Sequence, residues 1–218
     1  MAAKRLVVGV DESGKGDFFG PLVIAAFLAS NSDRKKLQEI GVRDSKLIAN
    51  KKLLTIDEQL RSEFHHAIIV YSPKEYNKQY KAIRNLNKLL ANGHAQAIRE
   101  VLVNHKADLV ISDKFGKAEL IENALSEKGI TVKLQQLVRG EQVLEVAAAS
   151  ILARATFIRE IEKLSAFLKI IIPRGAGSVV DEAGRKLAQR HPVSLFSKIA
   201  KTHFKNYYRI VNPALFTK

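Results

Sequence analysis

The chain has no cysteine among its 218 residues, and it has no long hydrophobic run. Without cysteine, a disulfide, a thiolate metal site and a cysteine nucleophile are all excluded. A helix that spans a bilayer needs about 20 consecutive apolar residues, which this sequence does not offer. Residues 1–5 lead into an apolar segment without the layout of a secretory signal. We therefore expect a cytoplasmic protein that does not associate with membranes.

Acidic residues are scarce relative to basic ones. The chain has 22 aspartates and glutamates and 36 lysines and arginines, which gives a formal net charge of +14. Such an excess predicts a polyanionic partner, and nucleic acid is the first candidate because phosphate contacts supply affinity without sequence recognition. A basic surface kept for solubility is the alternative, and the charge alone does not decide between the two.

The hydrophobic pattern predicts a mixed α/β sheet flanked by helices. Hydrophobic residues make up 46% of the chain, enough for a substantial core. Short apolar segments come first, helices then alternate with strands, and helices dominate the last third. We expect a single domain over residues 1–218, with residues 170–218 as a helical C-terminal part. The predicted strands are 6–10, 21–28, 64–71, 107–111 and 131–138, and a long helical stretch over 76–104 is predicted to break at Asn92–Gly93.

Three acidic residues lie where predicted strands end. Asp11 and Glu12 follow the first strand, and Asp113 follows the fourth. Strand ends at one edge of an α/β sheet often form the catalytic site. Carboxylates gathered there repel one another unless a cation lies between them, and oxygen ligands suit Mg²⁺ or Mn²⁺. The alternative is that each residue caps a turn or a helix.

The segment after the first strand, residues 11–17, reads DESGKGD. Gly14 and Gly16 flank Lys15, so the backbone can approach a ligand closely and expose its N–H groups. A phosphate or a ribose 2′-hydroxyl would suit this loop. The glycine spacing does not match a Walker loop. Taken alone, the Gly-Lys-Gly pattern is weak because many turns share it.

Seven motifs in order give the chain a resemblance to the type 2 ribonuclease H family, and to its ribonuclease HIII branch in particular. Lys15 is part of that resemblance, since ribonuclease HII usually has arginine there. The motifs are residues 11–17 with 19–22 (FGPL), 44–46 (DSK), 85–90 (NLNKLL) with His94, Asp113 with 114–116 (KFG), 146–154 (VAAASILAR), 174–177 (RGAG) with Asp181, and 200–206 (AKTHFKN).

The resemblance implies a ribonuclease H-like fold, with a five-stranded mixed sheet flanked by helices. It implies an endonuclease that hydrolyses the RNA strand of RNA–DNA hybrids with two Mg²⁺ or Mn²⁺ ions and leaves 5′-phosphate and 3′-hydroxyl ends. We expect a monomer. One alternative is ribonuclease HII-type incision at single ribonucleotides in duplex DNA, and another is a non-catalytic protein that binds hybrids.

The resemblance also assigns roles to residues. Four carboxylates are implied as catalytic metal ligands, and the fourth is a glutamate just before the alanine-rich helix. Glu141 is preferred because it follows Gly140 at the predicted helix start, but Glu145, one turn later, also qualifies. The implied ligands are Asp11, Glu12, Asp113 and Glu141; the implied substrate-binding residues are Ser13, Gly14, Lys15 and Gly16 for ribose 2′-hydroxyls and Lys46 for a phosphate.

The chain departs from the family pattern in two ways. Ribonucleases HIII typically carry an additional N-terminal substrate-binding domain that resembles the TATA-binding protein. Because the first motif begins at Asp11, we expect that domain to be absent: either the chain is a truncated or shortened form, or hybrid binding relies on the basic catalytic domain itself. The tyrosine with which ribonuclease HII senses a lone ribonucleotide has no match near residues 174–181. Efficient cleavage at a single embedded ribonucleotide is therefore less expected.

Overall fold

The computed structural model of the protein describes residues 5–212. The chain divides into two compact units. The first unit comprises the segment up to Ser13 together with Val23–Ile69 and Asn85–Ala155. The second comprises Gly14–Leu22, Val70–Arg84 and the segment from Thr156 onward. The single domain expected from the sequence stays a prediction.

The predicted five-stranded mixed sheet is present, and its strand order is β3-β2-β1-β4-β5. β1 pairs antiparallel with β2 and parallel with β4, and β4 pairs parallel with β5. All nine residues of β2 are buried, which suits a strand covered on both faces. The strands are β1 (Leu6–Ser13), β2 (Leu22–Ser30), β3 (His66–Tyr71), β4 (Leu109–Asp113) and β5 (Leu134–Leu137).

Helices make up most of the remaining structure, including the C-terminal part up to residue 212. The α-helices of the described residues are α1 (Arg34–Ile40), α2 (Asn50–Glu63), α3 (Pro73–Ile83), α4 (Leu86–Leu102), α5 (Ala118–Ser126), α6 (Leu144–Leu168), α7 (Ser178–Ala188), α8 (Phe196–Ile199) and α9 (Lys205–Val211). None of the helices in this part of the chain is both long and apolar enough to cross a membrane.

The predicted break at Asn92–Gly93 is wrong. α4 runs through both residues, and Gly93 is buried within it. The break lies earlier, at Arg84, whose φ of 51° ends α3 in the left-handed region. Asn85 then caps α4, because its side-chain oxygen accepts a hydrogen bond from the Lys88 N–H at 3.0 Å. A capping side chain thus decides the boundary, and the glycine does not.

The start of α6 packs directly on β1. A side chain at Gly9, in the middle of β1, would overlap the backbone of Glu145 and Val146. The helix backbone can therefore approach the strand only where glycine stands. The residues that follow, from Val146 to Ala149, are fully buried. This contact sets where α6 lies over the sheet.

In the second unit, the C-terminal segment holds the glycine-rich loop that follows β1. Lys201 is fully buried, and its Nζ donates to the carbonyl oxygens of Asp17 and Gly20, both at 2.8 Å. Its backbone N–H donates to the Phe18 carbonyl at 2.9 Å. Gly175 adds two contacts, since its N–H donates to Asp17 Oδ1 and its carbonyl accepts from the Phe18 N–H. The loop is thus fixed through its backbone.

Burial gives this contact a pH dependence. It lowers the pKa of Lys201 to about 7, against an opposing effect of the Asp17 carboxylate. Unfolded lysine titrates near 10.5, so between about pH 7 and pH 10 the unfolded chain binds a proton that the folded protein does not. The free energy of unfolding must therefore rise with pH in that window.

We predict that the stability difference between the wild type and Lys201→Met changes in favour of the wild type by on the order of 3 kcal/mol between about pH 7 and pH 10. Urea unfolding at several pH values measures it, and Lys205→Met, which replaces an exposed lysine in the same segment, is the control. A stability difference that stays constant with pH would show that Lys201 keeps its ordinary pKa.

Candidate active site

Asp11, Glu12 and Asp113 come to one edge of the sheet in the first unit. The two strands that carry them, β1 and β4, run parallel, and their register pairs Val10 with Ser112. Asp11 and Asp113 each follow the last pair by one residue, so both lie at the carboxyl ends of neighbouring strands. Glu12 comes next on β1, where successive side chains alternate between the faces of the sheet.

Ionisation of the Asp11 carboxyl group is unfavourable in the folded protein. Burial, followed by the neighbouring Glu12 carboxylate, raises the pKa of Asp11 to about 7, and Asp113 adds a smaller effect in the same direction. Hydrogen bonds from the Ser150 side chain and from the Glu12 N–H, at 2.8 Å, partly oppose the shift. A cation placed at this edge would remove the repulsion and favour the ionised carboxylate.

A buried histidine orients Glu12. His94, fully buried in α4, lies with its Nε2 3.0 Å from Glu12 Oε2. Because a carboxylate only accepts hydrogen bonds, Nε2 carries the proton. The imidazole also packs against the Phe115 ring, with centroids 4.7 Å apart. The sequence had placed His94 only within a family motif, and its contact with a residue 82 positions away had no local signal.

Glu141 directly follows a residue that bonds Asp113. Asp113 Oδ1 accepts a hydrogen bond from the Gly140 N–H at 2.9 Å. Glu141 is the next residue, in the short 3₁₀ turn Gly140–Gln142 that precedes α6. The turn begins after Arg139, whose φ of 59° reverses the chain toward Asp113. The glutamate preferred from the sequence is therefore one residue from a group bonded to Asp113.

Glu145 lies elsewhere. Its side chain is buried, with the carboxylate 3.5 Å from Arg34 Nε, and it faces a cavity of about 270 Å³. Val7 and Leu109, near the starts of β1 and β4, line the same cavity. Val7 precedes Asp11 by four residues, or about 13 Å along a strand. The Glu145 side chain thus lines a cavity on the side of the strand starts, away from Asp11 and Asp113, although its backbone lies on Gly9 in the middle of β1.

Residues of two further sequence motifs, 44–46 and 146–154, contact each other next to Asp11. The hydroxyl of Ser150, which bonds Asp11, lies 3.0 Å from the hydroxyl of Ser45. Arg154, one turn later in α6, donates to the Ser45 carbonyl. This ties the turn that carries Lys46 to the same helix that supports Asp11. The Lys46 N–H donates to its neighbour Asp44, and Lys46 itself is exposed.

The glycine-rich loop is divided between the units. Ser13 is the last residue of β1, whereas Gly14, Lys15 and Gly16 belong to the second unit. Gly14 has a φ of 88°, and a side chain there would overlap the Pro21 carbonyl, so only glycine fits. Gly16 is exposed with open space around its Cα, and Lys15 is half-buried.

The carboxylates fit a hard divalent ion in donor chemistry and in charge. They offer oxygen atoms, and burial together with their mutual repulsion raises the pKa of Asp11. Within residues 5–212, however, no three acidic or histidine side chains converge closely enough to share one ion. The predicted set of four metal ligands therefore stays a prediction.

Comparison with known proteins gives a consistent match. The family model described as Ribonuclease HII matches residues 8–207. Ribonuclease HIII of Chlamydia pneumoniae is 44% identical over 206 residues, covering 93% of this chain and 69% of the relative. Ribonuclease HIII of Protochlamydia amoebophila is 39% identical, covering 91% and 66%. The chain thus spans about two thirds of the length of these curated relatives.

Solved structures agree. Bst-RNase HIII, crystallised in complex with Mn²⁺, superposes with a TM-score of 0.89 at 29% identity, covering 98% of this chain and 71% of that one. The ribonuclease H2 from Pyrococcus horikoshii shares the fold, with a TM-score of 0.81 at 23% identity. The predicted ribonuclease H-like fold is thereby confirmed. With the family model matching most of its length, the chain belongs to the ribonuclease HII family of ribonucleases H, on the ribonuclease HIII branch.

Proposed function

We propose that the protein is an endoribonuclease that hydrolyses the RNA strand of RNA–DNA hybrids with two divalent metal ions, Mg²⁺ or Mn²⁺, and leaves 5′-phosphate and 3′-hydroxyl ends. Membership of a ribonuclease H family makes it an enzyme of this class. The observation that carries the proposal further is the position of Asp11, Glu12 and Asp113 at the carboxyl ends of two neighbouring strands, with a raised pKa at Asp11.

The metal site is proposed on Asp11, Glu12, Asp113 and Glu141. Two such ions would lower the pKa of a bound water and stabilise the departing 3′-oxygen. The chain itself contributes orientation: His94 holds Glu12, and the Gly140 N–H holds Asp113 next to Glu141. The Mn²⁺ complex of Bst-RNase HIII supports a divalent ion here by relationship.

Recognition of RNA is proposed for the glycine-rich loop. A hydrolase that is specific for hybrids must contact the 2′-hydroxyl, the group that distinguishes RNA from DNA at a given nucleotide. Exposed N–H groups in a glycine-rich turn suit that contact. We assign the 2′-hydroxyl contacts to Ser13, Gly14, Lys15 and Gly16 and a phosphate contact to Lys46. The net charge of +14 supports duplex binding. Cytoplasmic location and a monomeric state stay predictions.

We predict that the wild type with Mg²⁺ or Mn²⁺ cuts an end-labelled RNA–DNA hybrid, and that Asp11→Asn loses at least about 100-fold in rate because a metal ligand is removed. The same assay on an RNA–RNA duplex and on a DNA duplex with one ribonucleotide measures the substrate specificity. Preferred cutting at the single ribonucleotide would reassign the protein to ribonuclease HII-type activity. Binding of the hybrid without cleavage under either metal would make it a non-catalytic binder.

The two candidate glutamates give a matched pair of variants. We predict that Glu141→Gln lowers kcat at least about tenfold and weakens Mn²⁺ binding, because the substitution removes a proposed carboxylate ligand from the turn that bonds Asp113. Glu145→Gln should keep both within about twofold, since its carboxylate lies near the opposite strand ends. Titration calorimetry with Mn²⁺ and single-turnover cleavage measure the two effects. The reverse ranking would assign the fourth ligand to Glu145.

Metal and stability should also be linked through Asp11. Its raised pKa means that ionisation costs stability as the pH rises from about 4 to 7. Without metal at about pH 8, we predict that Asp11→Asn melts about 2–4 °C higher than the wild type, the equivalent of about 1 kcal/mol. This gain should shrink toward pH 4.

Added Mn²⁺ should reverse that order by stabilising the wild type more than the variant. Scanning calorimetry with and without the metal tests both effects, and Glu122→Gln, at an exposed position of the first unit, is the control. A metal-free variant that melts below the wild type would contradict the proposed repulsion.

A further inference from the structure

An apolar groove of about 310 Å³ lies within the second unit. Pro21 and Ile199, which are both buried, form its floor. Its rim consists of apolar side chains that are half-buried or exposed, and these are Val70, Pro73, Leu164 and Phe167. None of these residues has a role in the chemistry proposed above.

The exposure of the rim is unusual for side chains of this size. Leu164 and Phe167 are three residues apart in α6, so they share one face of that helix. The Phe167 side chain is 72% exposed, although the next residue, Leu168, is buried. Val70, on the same groove, is 39% exposed. Exposed apolar side chains that are grouped in this way mark interaction sites, whereas isolated ones need no explanation.

Hydrogen bonds hold the groove in shape. The Gly20 N–H donates to the Ile199 carbonyl at 2.9 Å, and Lys201 Nζ donates to the Gly20 carbonyl at 2.8 Å. The side-chain amide of Asn77, in α3, donates to the Ala200 carbonyl at 2.8 Å. These bonds join the segments on either side of the floor. A partner therefore meets a preformed groove and does not have to order its walls.

The charges at the rim favour an acidic partner. Lys163 Nζ lies 2.7 Å from Glu160 Oε1, so this pair adds no net charge. Lys198, also on the groove, is exposed and has no ion-pair partner among residues 5–212. A second copy of the chain would bring its own net charge of +14 and be repelled. A nucleic-acid strand needs several cations along its phosphates, and the groove offers a single unpaired lysine.

We propose that this groove binds an acidic peptide segment of a partner protein. The peptide inserts a large apolar side chain against Phe167 and places a carboxylate beside Lys198. The groove's volume is at the lower limit of ligand pockets, about 300–1000 Å³, so it suits about one or two inserted side chains. A contact of this size gives a weak and transient association. Binding does not depend on the chemistry proposed above.

Three fluorescein-labelled peptides of equal length test the chemistry of the partner. The first has a central Leu-Phe pair flanked by aspartates and glutamates. The second has alanines in place of the pair, and the third keeps the pair but has lysines in place of the acids. Fluorescence anisotropy at about 50 mM salt measures Kd. We expect a Kd on the order of 10–100 µM for the first peptide and at least about tenfold weaker binding of the other two.

Variants of the protein then locate the binding site. Phe167→Ala should weaken the first peptide at least about fivefold, and Lys198→Glu at least about threefold. The effect of Lys198→Glu should shrink at about 500 mM salt, which screens exposed charges. Tyr208→Ala and Lys205→Glu change exposed residues of the same unit outside the groove, so they serve as matched controls and should keep the wild-type Kd.

Equal binding of the three peptides, or a Kd that Phe167→Ala leaves unchanged, would overturn the proposal. So would the absence of binding below a Kd of about 1 mM. If Phe167→Ala weakens a single-stranded DNA oligonucleotide and not the peptide, the groove binds nucleic acid instead. If the wild type self-associates in sedimentation and Phe167→Ala does not, a second copy occupies it. Because no cleavage is measured, failure of the proposed function leaves the peptide result standing.

Discussion

The approach of α6 to β1 at Gly9 is the contact on which the site depends. It brings the helix backbone onto the strand that ends in Asp11 and Glu12. From there Ser150 reaches Asp11, and the turn before the helix reaches Asp113. A side chain at Gly9 would move α6 off the sheet, and the groups that support the carboxylates would move with it.

Burial acts on charges of opposite sign in the two units. It raises the pKa of Asp11 and lowers that of Lys201, both to about 7. The hydrogen bonds that Lys201 donates to two carbonyl oxygens offset the desolvation cost of its amino group and hold the backbone of a loop. Asp11 lies near other carboxylates, so hydrogen bonds from protein groups offset only part of the cost of ionising its buried carboxyl group. The first arrangement is structural, and the second is open to an external cation.

Much of the fold followed from pattern, because short apolar runs ending in acidic or turn residues predict strands well. The strand segments and the position of Asp113 at a strand end needed nothing beyond local sequence, whereas the order of the strands in the sheet was not predicted. The helix boundary at Asn85 did not follow, since glycine at 93 was a stronger signal than a capping asparagine. Glu141 and Glu145 could not be separated, because their spacing on a helix was known but the start of that helix was not. His94 acts on Glu12 only after folding.

The hold of Lys201 on Gly20 joins residues 181 positions apart in the chain. During synthesis, the glycine-rich loop lacks this anchor until a further 181 residues have followed Gly20. A contact over such a separation also costs more loop-closure entropy than a local contact does. The backbone of the loop proposed to recognise RNA is therefore fixed only after residue 201 has been synthesised.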